Sequence, residues 1–294
     1  MTVRSDRPFA RRMVKLGFSL FAGRARAHGQ DLWPGLRLVR DANGVGHGIY
    51  KGREAVTLQP AHLPAGLPEI TLIGSGPSLK SQDLTRLPER SAILLNGAIS
   101  VADRIAPLAI AVEDERFVWR HAEMLRTAPA DCLWLLSPGA IRALLSLHPD
   151  ALRDRRVGLI DNILKPAHAR RRSLDDPTLG DVLRRDGEAA LSRDPARGVV
   201  PAGTVAFSAL QFALAARPAK IGFAGIDLGN ANSPRFYETE GHSAASGIVS
   251  GLDRILSGFA LARSEAEAQG IALACYSQVS ALLEIGYQFS NRLD

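Results

Sequence analysis

Cysteine is scarce in this sequence, with two among 294 residues, Cys132 and Cys275. Two thiols cannot build a disulfide framework or a four-thiolate metal site, so they read as core thiols of a reducing compartment. Long hydrophobic runs are missing as well. The longest candidate, Ala202 to Ala216, falls short of the roughly 20 apolar residues that a membrane span needs and stops at Arg217-Pro218. It reads as a buried helix. There is no internal repeat and no low-complexity tract. Disorder is excluded by a 46% hydrophobic content and a 22% charged content of mixed sign. The length suits one large α/β domain or two modest ones with a sizeable core.

Net charge is absent from most of the chain. Seven bases (Arg4, Arg7, Arg11, Arg12, Lys15, Arg24, Arg26) and one acid, Asp6, lie within residues 1–26. The totals are 36 bases and 30 acids, so the rest holds 29 of each, and the whole +6 sits in the first segment. A nucleic-acid enzyme spreads basic charge over a folded face, so no nucleic-acid partner is expected. In the same segment Phe9, Met13, Leu16 and Leu20 recur at helical spacing, widened by Val14, Phe18 and Phe21. Such a helix either lies on an anionic membrane surface or packs on its own domain with a solvated charged side. The apolar run Leu16 to Gly23 is short and leads into Arg24-Ala25-Arg26, which speaks against a cleavable signal.

Residues from about 33 to 60 hold β-prone pieces between glycine-rich turns, a small hairpin appendage. The expected division is therefore an appendage at 1–65 and an α/β domain at 66–294. From Glu69 apolar strands alternate with helical stretches, the pattern of a mostly parallel sheet. Strands are expected at 70–73, 92–95, 108–112, 132–136, 220–224 and 271–275, with helices at 204–216 and 244–269. The arginine-rich stretch from 154 to 198 reads as an insertion of short helices.

The sharpest local feature is Ile73-Gly74-Ser75-Gly76-Pro77-Ser78-Leu79, directly after the first core strand. Its glycines permit a tight turn and close approach of a ligand, and Pro77-Ser78 is expected to open a helix whose amides favour phosphate. The spacing is neither the dinucleotide fingerprint nor the P-loop. Asn96 follows the second strand at the same carboxyl edge, where open α/β sheets bind ligands. Further along come Ala202-Gly203-Thr204 at a helix start, Gly225-Ile226-Asp227 at a strand end, then Arg235, Tyr237 and Gly241-His242-Ser243. Glu113-Asp114-Glu115 also follows a strand. It is either a metal-binding set of carboxylates or a strand-end cap with a solvated helix start, and Asp114 is in addition a candidate acceptor or ribose contact.

Taken in order, Gly74-Ser75-Gly76-Pro77-Ser78-Leu79-Lys80, Arg86-Leu87-Pro88, Asn96, the Gly203 helix start, Gly225-Ile226-Asp227, Gly241-His242-Ser243 and Ser280-Ala281-Leu282-Leu283 resemble the bacterial family-42 sialyltransferases. The Gly-x-Gly-Pro-Ser-Leu turn is shared with a wider group that includes a pterin pyrophosphokinase family. The resemblance runs from about Glu69 to the end. It implies a Rossmann-like variant of the A-type glycosyltransferase fold that needs no metal or other cofactor, with a CMP-sugar as donor substrate. It also implies that Gly74, Ser75, Gly76, Pro77, Ser78, Asn96, Ala202, Gly203, Thr204 and Asp227 form the nucleotide site, with His242 as base and Tyr237 and Arg235 at the departing phosphate.

The chain departs from the family pattern at Ser75, where asparagine is usual, at Pro201-Ala202-Gly203, where Thr-Ser-Gly is usual, and at Gly229, where a tyrosine is expected. A Kdo-like donor therefore fits as well as sialic acid. An inverting transfer to a cell-envelope glycan such as lipopolysaccharide would place the protein in the cytoplasm, peripheral on the inner face of the membrane. Homo-oligomerisation stays open. Two other readings also stay open, a Mg²⁺-dependent pyrophosphokinase that uses the carboxylates and a catalytically inactive membrane-associated binding protein.

Overall fold

A computed structural model describes residues 9–228, 236 and 251–294, with backbone only for Phe9, Ala10, Arg12 and Lys15. Among the described residues the strands are β1 (Leu36–Arg40), β2 (Gly46–Tyr50), β3 (Arg53–Leu58), β4 (Ile70–Ile73), β5 (Ala92–Leu95), β6 (Ala109–Val112), β7 (Leu133–Leu136), β8 (Arg156–Leu159), β9 (Leu183–Asp186), β10 (Ala189–Ser192), β11 (Lys220–Ala224), β12 (Ala272–Cys275) and β13 (Gln288–Phe289). The α-helices are α1 (Phe9–Phe21), α2 (Glu115–Arg120), α3 (Ala122–Thr127), α4 (Pro138–Leu147), α5 (Val205–Ala215) and α6 (Leu252–Ala268). The architecture is α/β, mostly parallel strands flanked by helices, of Rossmann-like type.

The chain forms two compact units, and the division differs from a simple appendage and domain. Unit 1 comprises residues 1–61, 112–180 and 196–198, and unit 2 comprises 62–111, 181–195 and 199–294. Within unit 1, β1, β2 and β3 form an antiparallel meander. The meander is not free-standing, because β3 runs parallel to β8 through Leu58↔Val157, and β8 pairs in parallel with β7. The stretch expected to hold short helices instead contributes strand β8, one 3-10 turn at Pro177–Leu179, and the hairpin β9–β10. The reason is local: Val157-Gly158-Leu159-Ile160 is a buried apolar run, and Gly187 supplies the positive φ (+56°) of the hairpin turn.

Arg142, on α4, is fully buried and ion-paired with Glu115, which also accepts from the buried Arg11 at 3.4 Å. Burial pushes the Arg142 guanidinium down to about 10, and the Glu115 carboxylate opposes that shift. Arg11 reaches further, donating to Gln30 O at 2.9 Å and to Trp33 O at 2.5 Å. Helix α1 is thus fixed through a charged residue. Met13, Leu16, Leu20 and Phe21 are left 54%, 52%, 70% and 91% exposed.

Unit 2 is built on parallel strands in the order β6-β5-β4-β11-β12-β13. β4, β5 and β6 are buried along their whole lengths, which explains why Thr71 is their one polar residue. Helix α5 packs on β4 and β5, and α6 packs on β12. Phe207, Phe223, Phe259 and Tyr287 form an aromatic cluster with ring centroids 5.1–6.2 Å apart. Glu265 of α6, buried at 5% exposure, holds Arg184 of β9 at 2.6 Å. Both cysteines are buried and neither is in a disulfide. No helix among the described residues is long and apolar enough to cross a membrane.

Candidate functional site

The chain moves outward from β4 through β5 to β6, then returns to place β11 on the other side of β4. That reversal is a topological switch point, the place along the carboxyl edge of an open α/β sheet where ligands bind. The loop after β4 is Gly74-Ser75-Gly76-Pro77, and the loop after β11 is Gly225-Ile226-Asp227.

The two loops are sewn together. Gly74 N donates to Ala224 O and Gly76 N to Gly225 O, each at 2.8 Å. A Cβ on Gly74 would stand 2.4 Å from Gly225 O, and one on Gly76 would stand 2.4 Å from Asp227 Oδ2. Both glycines are therefore required by the approach of one loop to the other. Asp227, buried at 4% exposure, accepts from Ser78 N at 3.0 Å, from Ser78 Oγ at 2.5 Å and from Ser277 Oγ at 2.7 Å. This carboxylate, which the resemblance puts among the nucleotide contacts, fixes the shape of the turn. Ser280 Oγ, from the closing stretch of the chain, donates to Ile226 O at 2.6 Å. Burial raises the Cys275 thiol above its ordinary value, and Asp227 adds to that shift.

Pro77-Ser78 does not open an α-helix. Pro77–Ser81 is one 3-10 turn, so the helix-dipole argument for phosphate does not apply to it. The α-helix at this edge is α5, which runs from the carboxyl edge back to the start of β11. Thr204 caps it, Oγ accepting from Ala206 N at 3.3 Å, and the preceding Gly203 has φ +103°. A Cβ at Gly203 would meet Arg254 Nη2 at 2.6 Å, and Arg254 Nε donates to Ala202 O at 3.0 Å. Arg254 was not legible as a site residue, because nothing in a lone arginine of α6 announces that it reaches this turn. It is exposed and forms no ion pair among the described residues. Asn96 follows β5 with φ +46°, and its Oδ1 is buried without a hydrogen-bond partner among the described residues. An uncompensated buried acceptor of this kind costs about 1–3 kcal/mol unless a ligand or water satisfies it.

Asn96, the Gly-rich turn, Asp227 and the Ala202-Gly203-Thr204 turn are therefore all set by the carboxyl ends of β4, β5 and β11 and the start of α5. Ser75 O accepts from Phe236 N at 3.2 Å. Arg235, Tyr237 and His242 lie outside the described residues, as do residues 244–250 of the expected helix.

The carboxylates after β6 belong to unit 1. Asp114 caps α2, accepting from Arg116 N at 2.9 Å and pairing with the Arg116 guanidinium. Glu115 is the internal counter-ion of Arg142 and Arg11. Two of the three are thus committed to structural partners. No protein-family model, curated protein or solved structure matches the chain.

Proposed function

We propose that this protein is an inverting glycosyltransferase that moves a sialic-acid-like or Kdo-like sugar from a CMP-sugar donor to a cell-envelope glycan. The observation that carries the reading is the switch point between β4 and β11, where the Gly-rich turn, the unsatisfied Asn96 Oδ1 and the Gly203 turn share one edge. Asn96 offers an amide to the nucleotide. The Arg254 guanidinium at the Gly203 turn supplies a positive charge for the departing phosphate, a role the resemblance gives to Arg235 and Tyr237.

In this mechanism the acceptor hydroxyl attacks the anomeric carbon from the face opposite CMP. The bond from that carbon to the phosphate oxygen breaks, CMP leaves with the electron pair, and His242 takes the hydroxyl proton. The transition state is oxocarbenium-like, and its developing phosphate charge is what the cations stabilise. The pyrophosphokinase alternative has less support, because Asp114 and Glu115 are engaged by arginines. The exposed apolar residues of α1, in the segment that carries all the net charge, favour an acceptor presented at an anionic membrane surface.

Thermal melting with EDTA present tests the reading. CMP at 100 times its Kd adds about 2.7 kcal/mol, a visible shift, and ATP without metal adds none. His242→Ala keeps CMP binding and loses transfer by about 10²–10⁴-fold. No shift with CMP, together with a Mg²⁺-dependent shift with ATP, overturns the assignment.

A further inference from the structure

A second candidate site lies wholly within unit 1. A cavity of about 460 Å³ opens at the carboxyl ends of β7 and β8, lined by Ser137, Gly139, Asp161 and Asn162 among others. This is within the range of about 300–1,000 Å³ of small-molecule sites. Its wall is stitched from distant segments. His28 Nε2 lies 3.0 Å from Pro166 O and 3.1 Å from Ala169 O, and Arg171 N donates to Ala25 O at 2.9 Å.

The charges around this cavity are not all paired. Its carboxylates are Asp31, Glu113, Asp114, Glu115 and Asp161. Glu115 is paired with Arg142 and Arg11, Asp114 with Arg116, and Asp161 with Arg40 at 2.8 Å. Asp31 accepts from Gln30 Nε2, and Glu113 is also engaged. Three further cations line the cavity, Arg24, Lys165 and Arg171, and none forms an ion pair among the described residues. The lining carboxylates are thus each engaged, whereas these three exposed cations are not paired. Gly139, in the first turn of the ten-residue α4, adds the positive end of that helix. Three unpaired cations, two of them guanidinium forks, match a phosphate dianion better than a single carboxylate.

We propose that this cavity binds a phosphate-bearing ligand through Arg24, Lys165 and Arg171. The site stands independently of the donor assignment in unit 2. Isothermal titration at about 50 mM salt, where screening is weak, tests it with two probes. Inorganic pyrophosphate reports a free phosphate ligand, and a water-soluble short-chain phosphatidic acid reports a lipid headgroup. Saturable one-to-one binding of either probe is expected, with a single Ala substitution at Arg24, Lys165 or Arg171 weakening it about 10-fold. Arg171→Lys should recover part of the loss, and the exposed positions leave the melting temperature unchanged. Asn96→Ala, in unit 2, should bind both probes like the unsubstituted protein. The proposal is overturned if neither probe saturates, or if the triple Ala variant binds as tightly as the unsubstituted protein. It is also overturned if Asn96→Ala removes binding, since the anion would then sit at the Gly-rich turn.

Discussion

Asp227→Asn is the most informative single change in unit 2, because it keeps the shape of the side chain and removes one acceptor and the charge. In the native turn Oδ2 accepts from Ser78 N, and Oδ1 accepts from the hydroxyls of Ser78 and Ser277. In the variant the amide oxygen can serve the two hydroxyls, while the NH₂ then faces the Ser78 N–H donor to donor. Leaving that donor unmet costs about 1–3 kcal/mol, and the two surviving bonds lose charge assistance. The total is about 2–4 kcal/mol, and CMP affinity should fall as the Gly-rich turn shifts. Urea unfolding should show a lower midpoint with an unchanged slope. Ser277→Ala, which removes one of the three bonds, should cost only about 1 kcal/mol. The reasoning fails if Asp227→Asn unfolds at the unsubstituted midpoint, or loses no more than Ser277→Ala.

Two further outcomes follow from other parts of the molecule. Leu16→Glu with Leu20→Glu should lower cosedimentation with anionic vesicles and leave the melting temperature unchanged, because both side chains are more than half exposed; unaltered vesicle binding would reject the membrane reading. Burial raises the Glu69 carboxyl, but hydrogen bonds from Lys220, Tyr276 and Arg292 outweigh burial and hold it below its ordinary value. With the folded value depressed, its contribution is complete above about pH 4.5 and is lost as pH falls through the folded value. Glu69→Gln should therefore flatten the acid limb of the stability curve, and an unchanged limb would remove Glu69 from the account.

The unit 2 strands were legible because a fully buried parallel strand is a short apolar run bounded by breakers. Ile70–Ile73, Ala92–Leu95 and Lys220–Ala224 are found where the sequence places them. β8 was not legible, since the Arg153-Asp154-Arg155-Arg156 run masks the apolar residues that follow and Gly158 weakens the strand signal. The amphipathic pattern of α1 was visible, but which of its residues is buried was not. Arg11, one of the residues read as charge on the solvated side, is a buried anchor, while Met13, Leu16, Leu20 and Phe21 stay exposed. Deleting residues 1–26 would consequently strip Glu115 of one of its two arginine partners and would not isolate membrane binding. The role of Glu115 was hidden for a related reason, because its partner Arg11 lies 104 residues away. The unit 1 cavity likewise depends on contacts between segments more than 130 residues apart.

Arg292 is bonded to Glu69, at the start of β4, and its Nη2 donates to Arg86 O at 3.0 Å. Asp83 N donates to Leu293 O at 2.7 Å. The first strand of unit 2 is thus clasped by residues that lie more than 200 positions further along the chain. At about 5–20 residues per second, the roughly 220 residues from Ile73 to Arg292 take on the order of 10–40 s to synthesise. All the segments of unit 1 have by then been made. For that interval β4 has no β11 beside it until residue 220 or so emerges, and its edge is open to mispairing. Unit 2 therefore closes only after Arg292 has emerged, long after its first strand was made.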